Sequence, residues 1–496
     1  MALSILQSPA SYTFARQPTV FLLKDAANVN KQGFSFVASL FDENGDLIVS
    51  MNIPKRPVNG FGLVDLSDYL SAYVNEEEDI VPGANEFLRA PNFARNYTIQ
   101  FGEKSDLFTY FDYGFGPAGK TLLSSATDRH DFVVSDRVLV TQDPGYLYPS
   151  LDGEQVVISV PDEFSIVLDL SFPGVGPASP GSVRHINGES IVYTGITGFT
   201  GVTIAGAIPR EEFTEYGSTR FVPSSSTASC DIMTLCPDGF RVKLDSQMFV
   251  PVPNLISTLT YMRITTKNAA GTTLGVYGWQ IDSAIRFSDL PFVFAPCGPA
   301  NLTDQNNTWS GPTSDIFAGV DHYYVGFMQN SSASDDPVIS TREMRIDIDD
   351  RCDPFQESFT LLFCDALGAW SPFTFNSRSD EVHQTKKDVF LRSDFGRIQS
   401  EAYNYSNKRR GLEVYNAEHV RTYVVRSDWM TTEESEYFVQ CFTAARAFWC
   451  KSATKFLPII LSDGKVERLK PEQEDDPTMI RYEISFALAY AEPPRV

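Results

Sequence analysis

Tyr482-Glu-Ile-Ser-Phe-Ala-Leu-Ala-Tyr490 places a large apolar side chain at every second position. Successive side chains of an extended chain point to opposite faces, so this spacing describes a strand with one buried face. The pattern runs almost to Val496, which implies a closing strand docked in a sheet. Just upstream, Phe456–Leu461 and Val466–Leu469 read as two strands joined by a turn at Ser462-Asp-Gly-Lys465. Ser358-Phe-Thr-Leu-Leu-Phe-Cys364 reads as a buried strand, Asp365-Ala-Leu-Gly-Ala369 as a turn, and Trp370–Phe375 as the return. One strongly marked helix interrupts the series. Thr431 and Glu434 have the S/T-x-x-E spacing of a capping box. Behind them Phe438, Cys441, Phe442, Ala445 and Trp449 fall on one helical face. The spacing predicts a helix over about 432–450, with Phe438, Phe442 and Trp449 packed on the closing strand.

The rest of the chain repeats the β signature. Phe34, Phe36, Ala38 and Leu40 alternate with smaller residues. Asp42-Glu-Asn-Gly-Asp46 then turns the chain into Leu47-Ile-Val49, and Asn44-Gly45 suits the positive φ of a hairpin. Tyr97–Phe101 is a further strand. A short helix over Leu66–Val74 would present Leu66, Tyr69, Leu70 and Tyr73 on one face, with Asp65 as its cap. Glu76-Glu-Glu-Asp79 reads as a solvated loop. The middle is rich in Gly, Pro, Ser and Thr, with short apolar runs at Val156–Val160, Phe164–Leu170, Ile191–Tyr193, Phe240–Leu244, Leu259–Ile264 and Leu274–Ile281. Short strands with frequent turn signals indicate sandwich or barrel-like sheets. The expected organisation is therefore mainly β and multidomain. Its segments are an N-terminal β-domain over 1–140, a Gly/Pro-rich acidic β region over 141–340, and a C-terminal β-domain over 341–496 carrying the helix.

Composition narrows the function classes. The 496 residues suffice for about three domains of ordinary size. Acidic residues outnumber basic ones 63 to 40, giving a net charge of −23. Binding to nucleic acid phosphates needs clustered Lys and Arg, so neither nucleic acid nor anionic lipid is the expected main partner. Residues 141–340 hold 8 Lys and Arg against 20 Asp and Glu, so about half the net negative charge sits there. No run of about 18 apolar residues is present, and no membrane-spanning helix is expected. The start, Met1-Ala-Leu-Ser-Ile-Leu-Gln-Ser-Pro9, lacks a basic region followed by a long apolar one, so no secretory leader is expected. Seven cysteines (230, 236, 297, 352, 364, 441 and 450) form no CxxC pair, and free thiols are the expected state. A Cys230–Cys236 bridge is the pairing that stays open. The aromatic wealth of 37 Phe, 21 Tyr and 5 Trp, with few bases around it, reads as sheet core and interface area.

Three motifs bear on chemistry. Gly114-Phe-Gly-Pro-Ala-Gly119-Lys120-Thr121 matches the P-loop pattern. A P-loop cradles phosphate with backbone N–H groups only between a buried parallel strand and a helix. The preceding Leu107–Tyr113 reads as half exposed, the following Leu122–Asp131 has a weak helical stripe, and the surroundings are hairpins. Ile166-Val-Leu-Asp169 imitates a Walker B strand. A loop in a β-domain is therefore expected, with no nucleotide cofactor and no role for Lys120. Asp347-Ile-Asp-Asp-Arg-Cys-Asp353 has the composition of a calcium loop but lacks the glycine and glutamate of an EF-hand, so a charged connector is expected. No G-x-S-x-G elbow and no locally distinguished carboxylate pair mark a hydrolase. Asn96-Tyr-Thr98 and Asn306-Asn-Thr308 have the N-x-S/T form and read as chance in a Ser/Thr-rich chain. No catalytic, cofactor-binding or metal residue is assigned.

Two stretches resemble structural proteins from the virions of tailed bacteriophages, especially phages of Bacteroidetes-type hosts. The N-terminal one comprises Ile5-Leu-Gln-Ser-Pro9, Pro18-Thr-Val-Phe-Leu-Leu23, Phe34-Ser-Phe-Val37, Gly62-Leu-Val-Asp-Leu-Ser67, Tyr69-Leu70, Tyr73-Val74 and Phe101-Gly-Glu103. The C-terminal one comprises Cys352-Asp-Pro-Phe355, Leu361-Leu-Phe363, Leu367-Gly-Ala-Trp370, Phe373-Thr-Phe375, Trp429-Met-Thr-Thr-Glu-Glu434, Leu457-Pro-Ile-Ile460 and Tyr482–Phe486. Together they cover about half the chain, at its two ends. The resemblance implies immunoglobulin-like or related β-sandwich domains that build a tail, neck or baseplate. It implies a symmetric homo-oligomer, contacts with other tail, neck or portal-region proteins, a place in the virion, and no enzymatic activity. It transfers no catalytic residue. A receptor-binding adhesin and a tail-associated glycan depolymerase are the alternative readings.

Overall fold

The computed structural model describes residues 3–25, 29, 34–75, 84, 86–105, 108–110, 112–115, 117–124, 129–130, 132, 134–142, 153–162, 165–171, 181–185, 192–206, 220–221, 230–254, 261–280, 290–302, 316–328, 341–349, 358–391, 396–399, 402–405, 412–444, 446–452, 454–469 and 479–489. The fold is mainly β, arranged in several sheets. Among the described residues the strand pairings are antiparallel apart from two short parallel ones, Tyr12–Phe14 with Val202–Ile204 and Phe240–Val242 with Ile346–Ile348. The chain divides into two compact units, one of residues 1–75 and 94–205, the other of residues 76–93 and 206–496. These limits do not coincide with the compositional boundaries at 140 and 340. Long-range strand pairing decides which segments belong together, and composition does not report it.

Among the described residues the first unit contains three sheets. Leu3–Gln7, Val20–Asp25 and Gly62–Asp65 form a small sheet. Its Phe21 ring lies 5.0 Å from Phe101 of a six-stranded sheet built around Ser35–Phe41, Ala94–Ser105 and Val192–Ile204. The hairpin at Asp42–Asp46 forms as expected. Gly45 has φ +86°, and Asp42 Oδ1 accepts the N–H groups of Asn44 and Asp46 at 2.9 and 2.7 Å. The first helix, α1 (Ser67–Tyr73), buries Leu70 in the same core. Leu66, not Asp65, is its N-cap; Asp65 instead accepts the N–H groups of Ser67 and Thr19, both at 3.0 Å. A seven-stranded antiparallel sheet, with a core of its own around Val138, Val157 and Leu168, completes this unit.

The second unit is a sandwich. A five-stranded sheet supplies Phe240, Met262, Ile264, Val325 and Ile346 to one large core. A ten-stranded sheet supplies Val250, Val293, Leu361, Phe363, Phe375, Ile484 and Phe486 to the same core. The second helix, α2 (Thr432–Thr443), lies against both. Tyr437 meets Phe240 at 5.3 Å, while Phe438 meets Phe373 at 4.2 Å and Tyr482 at 4.9 Å. The capping box is complete: Thr431 Oγ1 accepts the Glu434 N–H, and Glu434 Oε2 accepts the Thr431 N–H.

Two sequence expectations are corrected here. The helix stops at Thr443, not near 450, and Trp449 stands on the strand Ala447–Ser452. Ala444 is already extended at ψ 129°, and Trp449 stacks on Phe359 at 5.0 Å, so pairing with Phe359–Cys364 wins over continued helix. Ser462-Asp-Gly-Lys465 is not a turn. One strand, Lys455–Leu469, runs through it, because a register shift between Leu461 and Asp463 absorbs the extra residue while Met479–Leu488 pairs along the whole length. The closing strand buries Tyr482, Ile484 and Phe486 as the period predicts; Tyr490 falls outside the described residues. Ala445 of the predicted stripe and the acidic stretch Glu76–Asp79 also fall outside them.

Candidate functional site

The P-loop-like string is a β-hairpin. Asp112–Phe115 pairs antiparallel with Lys120–Ser124, and Phe115 faces Thr121. Pro117–Gly119 makes the turn, with Ala118 at φ +56° and Gly119 at φ +75°. Lys120 Nζ lies 2.6 Å from Asp169 Oδ1, and the Thr121 hydroxyl donates to the Leu170 carbonyl at 3.1 Å. The Walker B look-alike is thus the neighbouring strand, and its aspartate neutralises the lysine. Strands that continue on both sides of the turn leave no helix N-terminus to meet a phosphate.

Asp347, the start of the calcium-like string, is on the strand Met344–Ile348. Its two oxygens accept from Arg345 Nε and Nη2 at 2.7 and 3.3 Å. Asp349 accepts from Asn376 Nδ2 at 3.1 Å. Asp350 to Asp353 lie outside the described residues, and so does Asn306 of the second sequon; Asn96 of the first is on the strand Ala94–Ser105. Among the described residues no group of three or more His, Cys, Asp or Glu is placed to hold a metal ion. Cys230 and Cys236 are free thiols. Burial pushes Cys230 up to about 11 and Cys236 well above the usual thiol range. Among the described residues no helix is long and apolar enough to cross a membrane. A cleft of about 300 Å³ in the second unit is lined by Arg220, Asp231, Cys236, Arg342 and Glu343, and Arg220 is ion-paired with Asp231.

The most distinctive surface is an arm. Asp380–Leu391 forms an end strand of the ten-stranded sheet and pairs with Leu412–Arg426. Only Thr422–Arg426 also pairs with the closing strand, through Glu483–Ala487. Beyond Thr422 the two strands pair with each other alone among the described residues, so Leu412–Arg421 and its partner form a two-stranded ribbon. Its root is fixed. Tyr423 stacks on Phe486 at 5.3 Å and lies 5.0 Å from Trp449, and Arg426 binds both Asp380 and Glu483 at 2.9 and 2.6 Å. Those contacts hold the Asp380 carboxyl below its usual range, with the Arg426 hydrogen bond the main cause.

Along the ribbon the side chains are exposed on both faces. Register places Val389 opposite Val414 and Leu391 opposite Leu412. Residues on one face recur at every second position, so these four aliphatics share one face of the outer part. Phe390 and Tyr415 pack at 6.2 Å beside them. All six are exposed, from 44 % for Phe390 to 71 % for Leu391. Midway, the rings of His383 and His419 stack at 5.2 Å, with His383 Nδ1 and His419 Nε2 3.2 Å apart. Sequence reading missed this element. The available signal was Val389-Phe-Leu391 opposite Leu412-Glu-Val-Tyr415, two β-prone runs that pattern cannot tell from core strands.

No protein-family model matches the chain, and no curated protein matches it. Among solved structures it is similar to native E. coli alpha-2-macroglobulin at 9 % identity and a TM-score of 0.12. The alignment covers 99 % of this chain and 38 % of that one, so the chain spans well under half the length of that protein. A likeness of that size carries no argument about fold or function.

Proposed function

We propose that this protein is a structural subunit of a tailed-phage particle, placed in the tail, neck or baseplate. It acts by joining copies of itself into a symmetric ring and by binding other tail, neck or portal-region proteins. The observation that carries this reading is the arm: a two-stranded ribbon with apolar residues exposed on both faces. An isolated hairpin is marginal in water, and contiguous exposed apolar surface marks interaction sites. The phage-like sequence strings at both ends support the particular setting, and the multidomain β architecture suits a component that works through surface. Gold-labelled antibody against the chain should decorate purified particles at the tail, neck or baseplate. Particles that stay unlabelled after mild opening, beside labelled free protein in the same lysate, would contradict the proposal.

A further inference from the structure

We propose that His383 and His419 form a metal clip across the arm, taking one divalent transition ion of the zinc or copper class between their imidazoles. The clip goes beyond the structural role above and does not rest on it. Glu381, His383 and Thr385 alternate along the outer strand and so share one face, and register puts Thr385 opposite His419 and His383 opposite Arg421. Two histidines 36 residues apart in sequence therefore meet across the ribbon, and both are exposed. Their rings stack, with His383 Nδ1 3.2 Å from His419 Nε2. Two imidazole nitrogens that ligate one tetrahedral zinc ion at roughly 2.0–2.1 Å each lie about 3.3 Å apart, so the spacing fits a shared ion.

The far nitrogens of both rings have partners of their own. His383 Nε2 lies 3.3 Å from Glu381 Oε1, and His419 Nδ1 lies 3.3 Å from the Thr385 hydroxyl. An ionised carboxylate only accepts, so the Glu381 contact puts the His383 proton on Nε2 and turns the Nδ1 lone pair toward His419. A carboxylate behind a ligating histidine fixes tautomer and ring orientation at metal sites. Arg421 Nε holds the same Glu381 oxygen at 3.2 Å and keeps that carboxylate in place. With the Thr385 hydroxyl accepting from His419 Nδ1, the Nε2 lone pair also faces inward, and a cation between the rings is bound by both. Imidazole selects zinc, copper and nickel, whereas calcium and magnesium require oxygen ligands. Water fills the remaining positions. The ion then joins the two strands outside the anchored root, where they pair only with each other among the described residues. A ligand bound only by the paired strands stabilises a ribbon that is otherwise marginal in water.

The test uses the full chain without a histidine tag, freed of metal by a chelator. Addition of one equivalent of zinc chloride should slow hydrogen–deuterium exchange in peptides from 380–391 and 412–426, and magnesium or calcium chloride should not. Mapping the protection to the ribbon separates this site from the thiols elsewhere in the chain. His383→Ala and His419→Ala should each abolish the protection and weaken zinc uptake in calorimetry by about tenfold or more. As a check that does not depend on a variant folding, pulsed paramagnetic resonance of the wild type loaded with one equivalent of copper(II) should show two coordinated imidazoles. Uptake unchanged in both variants, protection away from the ribbon, equal protection by magnesium, or a copper signal with fewer than two imidazoles would each overturn the proposal. None of those results bears on membership of the particle, which antibody labelling tests separately.

Discussion

Asp365 is a buried carboxylate of the second unit that accepts four hydrogen bonds. Its Oδ2 accepts the Thr234 hydroxyl at 2.8 Å and the Leu235 N–H at 2.9 Å, while Oδ1 accepts the N–H groups of Leu367 and Ala369 at 3.0 and 2.8 Å. Burial pushes the carboxyl up to about 6, and the four donors only moderate the rise. The folded state thus holds this proton more tightly than the unfolded chain, whose aspartate titrates near 3.8. The stabilisation is present in full below the unfolded value and is lost as pH rises through about 6. Two pKa units correspond to about 3 kcal/mol. The stability advantage of the wild type over Asp365→Asn should therefore shrink by up to about 3 kcal/mol from pH 4 to pH 7. Denaturant titrations at the two pH values check this, and a constant offset would contradict it. Gly368 ends the same turn at φ +91°, and a Cβ there would run into the Phe93 ring. Gly368→Ala should cost more than the 1 kcal/mol of an ordinary glycine replacement, about 2–4 kcal/mol in a thermal melt, because strain and overpacking add.

The helix α2 packs on the core through Tyr437, Phe438 and Cys441, with the Phe438 ring the most central. Phe438 touches Phe363, Phe373, Phe375 and Tyr482, whereas Phe442 is only partly buried. Phe438→Ala should cost about 3–5 kcal/mol, and Phe442→Ala clearly less. Equal losses would show that the outer face of the helix is covered too. Thr431→Ala, which removes the cap, should cost about 0.5–2 kcal/mol. The hairpin at Gly114–Thr121 should give no micromolar ATP or GTP affinity in calorimetry. Binding that Lys120→Ala abolishes would contradict the paired-lysine geometry. Local signals predicted these elements well where they agreed with the tertiary structure. The capping box, the Asn44-Gly45 turn and the period of Tyr482–Phe486 each act within a few residues, so they are visible in the string. Trp449 and Ser462–Lys465 depart from their local pattern because their fate depends on strands distant in sequence: Phe359–Cys364 recruits the first, and Met479–Leu488 carries the second through a bulge. The arm is invisible in the string for the same reason: Val389, Leu391, Leu412 and Val414 are exposed because no further strand pairs beside them among the described residues, and no local pattern records that.

At the scale of the whole molecule, a net charge of −23 goes together with exposed aliphatic side chains on the outer ribbon. The outer part of the arm is aliphatic and exposed. Contiguous exposed apolar surface of this kind marks interaction sites. The central claim, that it is a virion component, is tested most directly by quantitative mass spectrometry of gradient-purified particles. The account predicts the chain among the particle proteins, at a fixed copy number that is a multiple consistent with a ring around the tail axis. Its absence from the particles, or its presence only as free monomer in the infected-cell extract, would contradict the account.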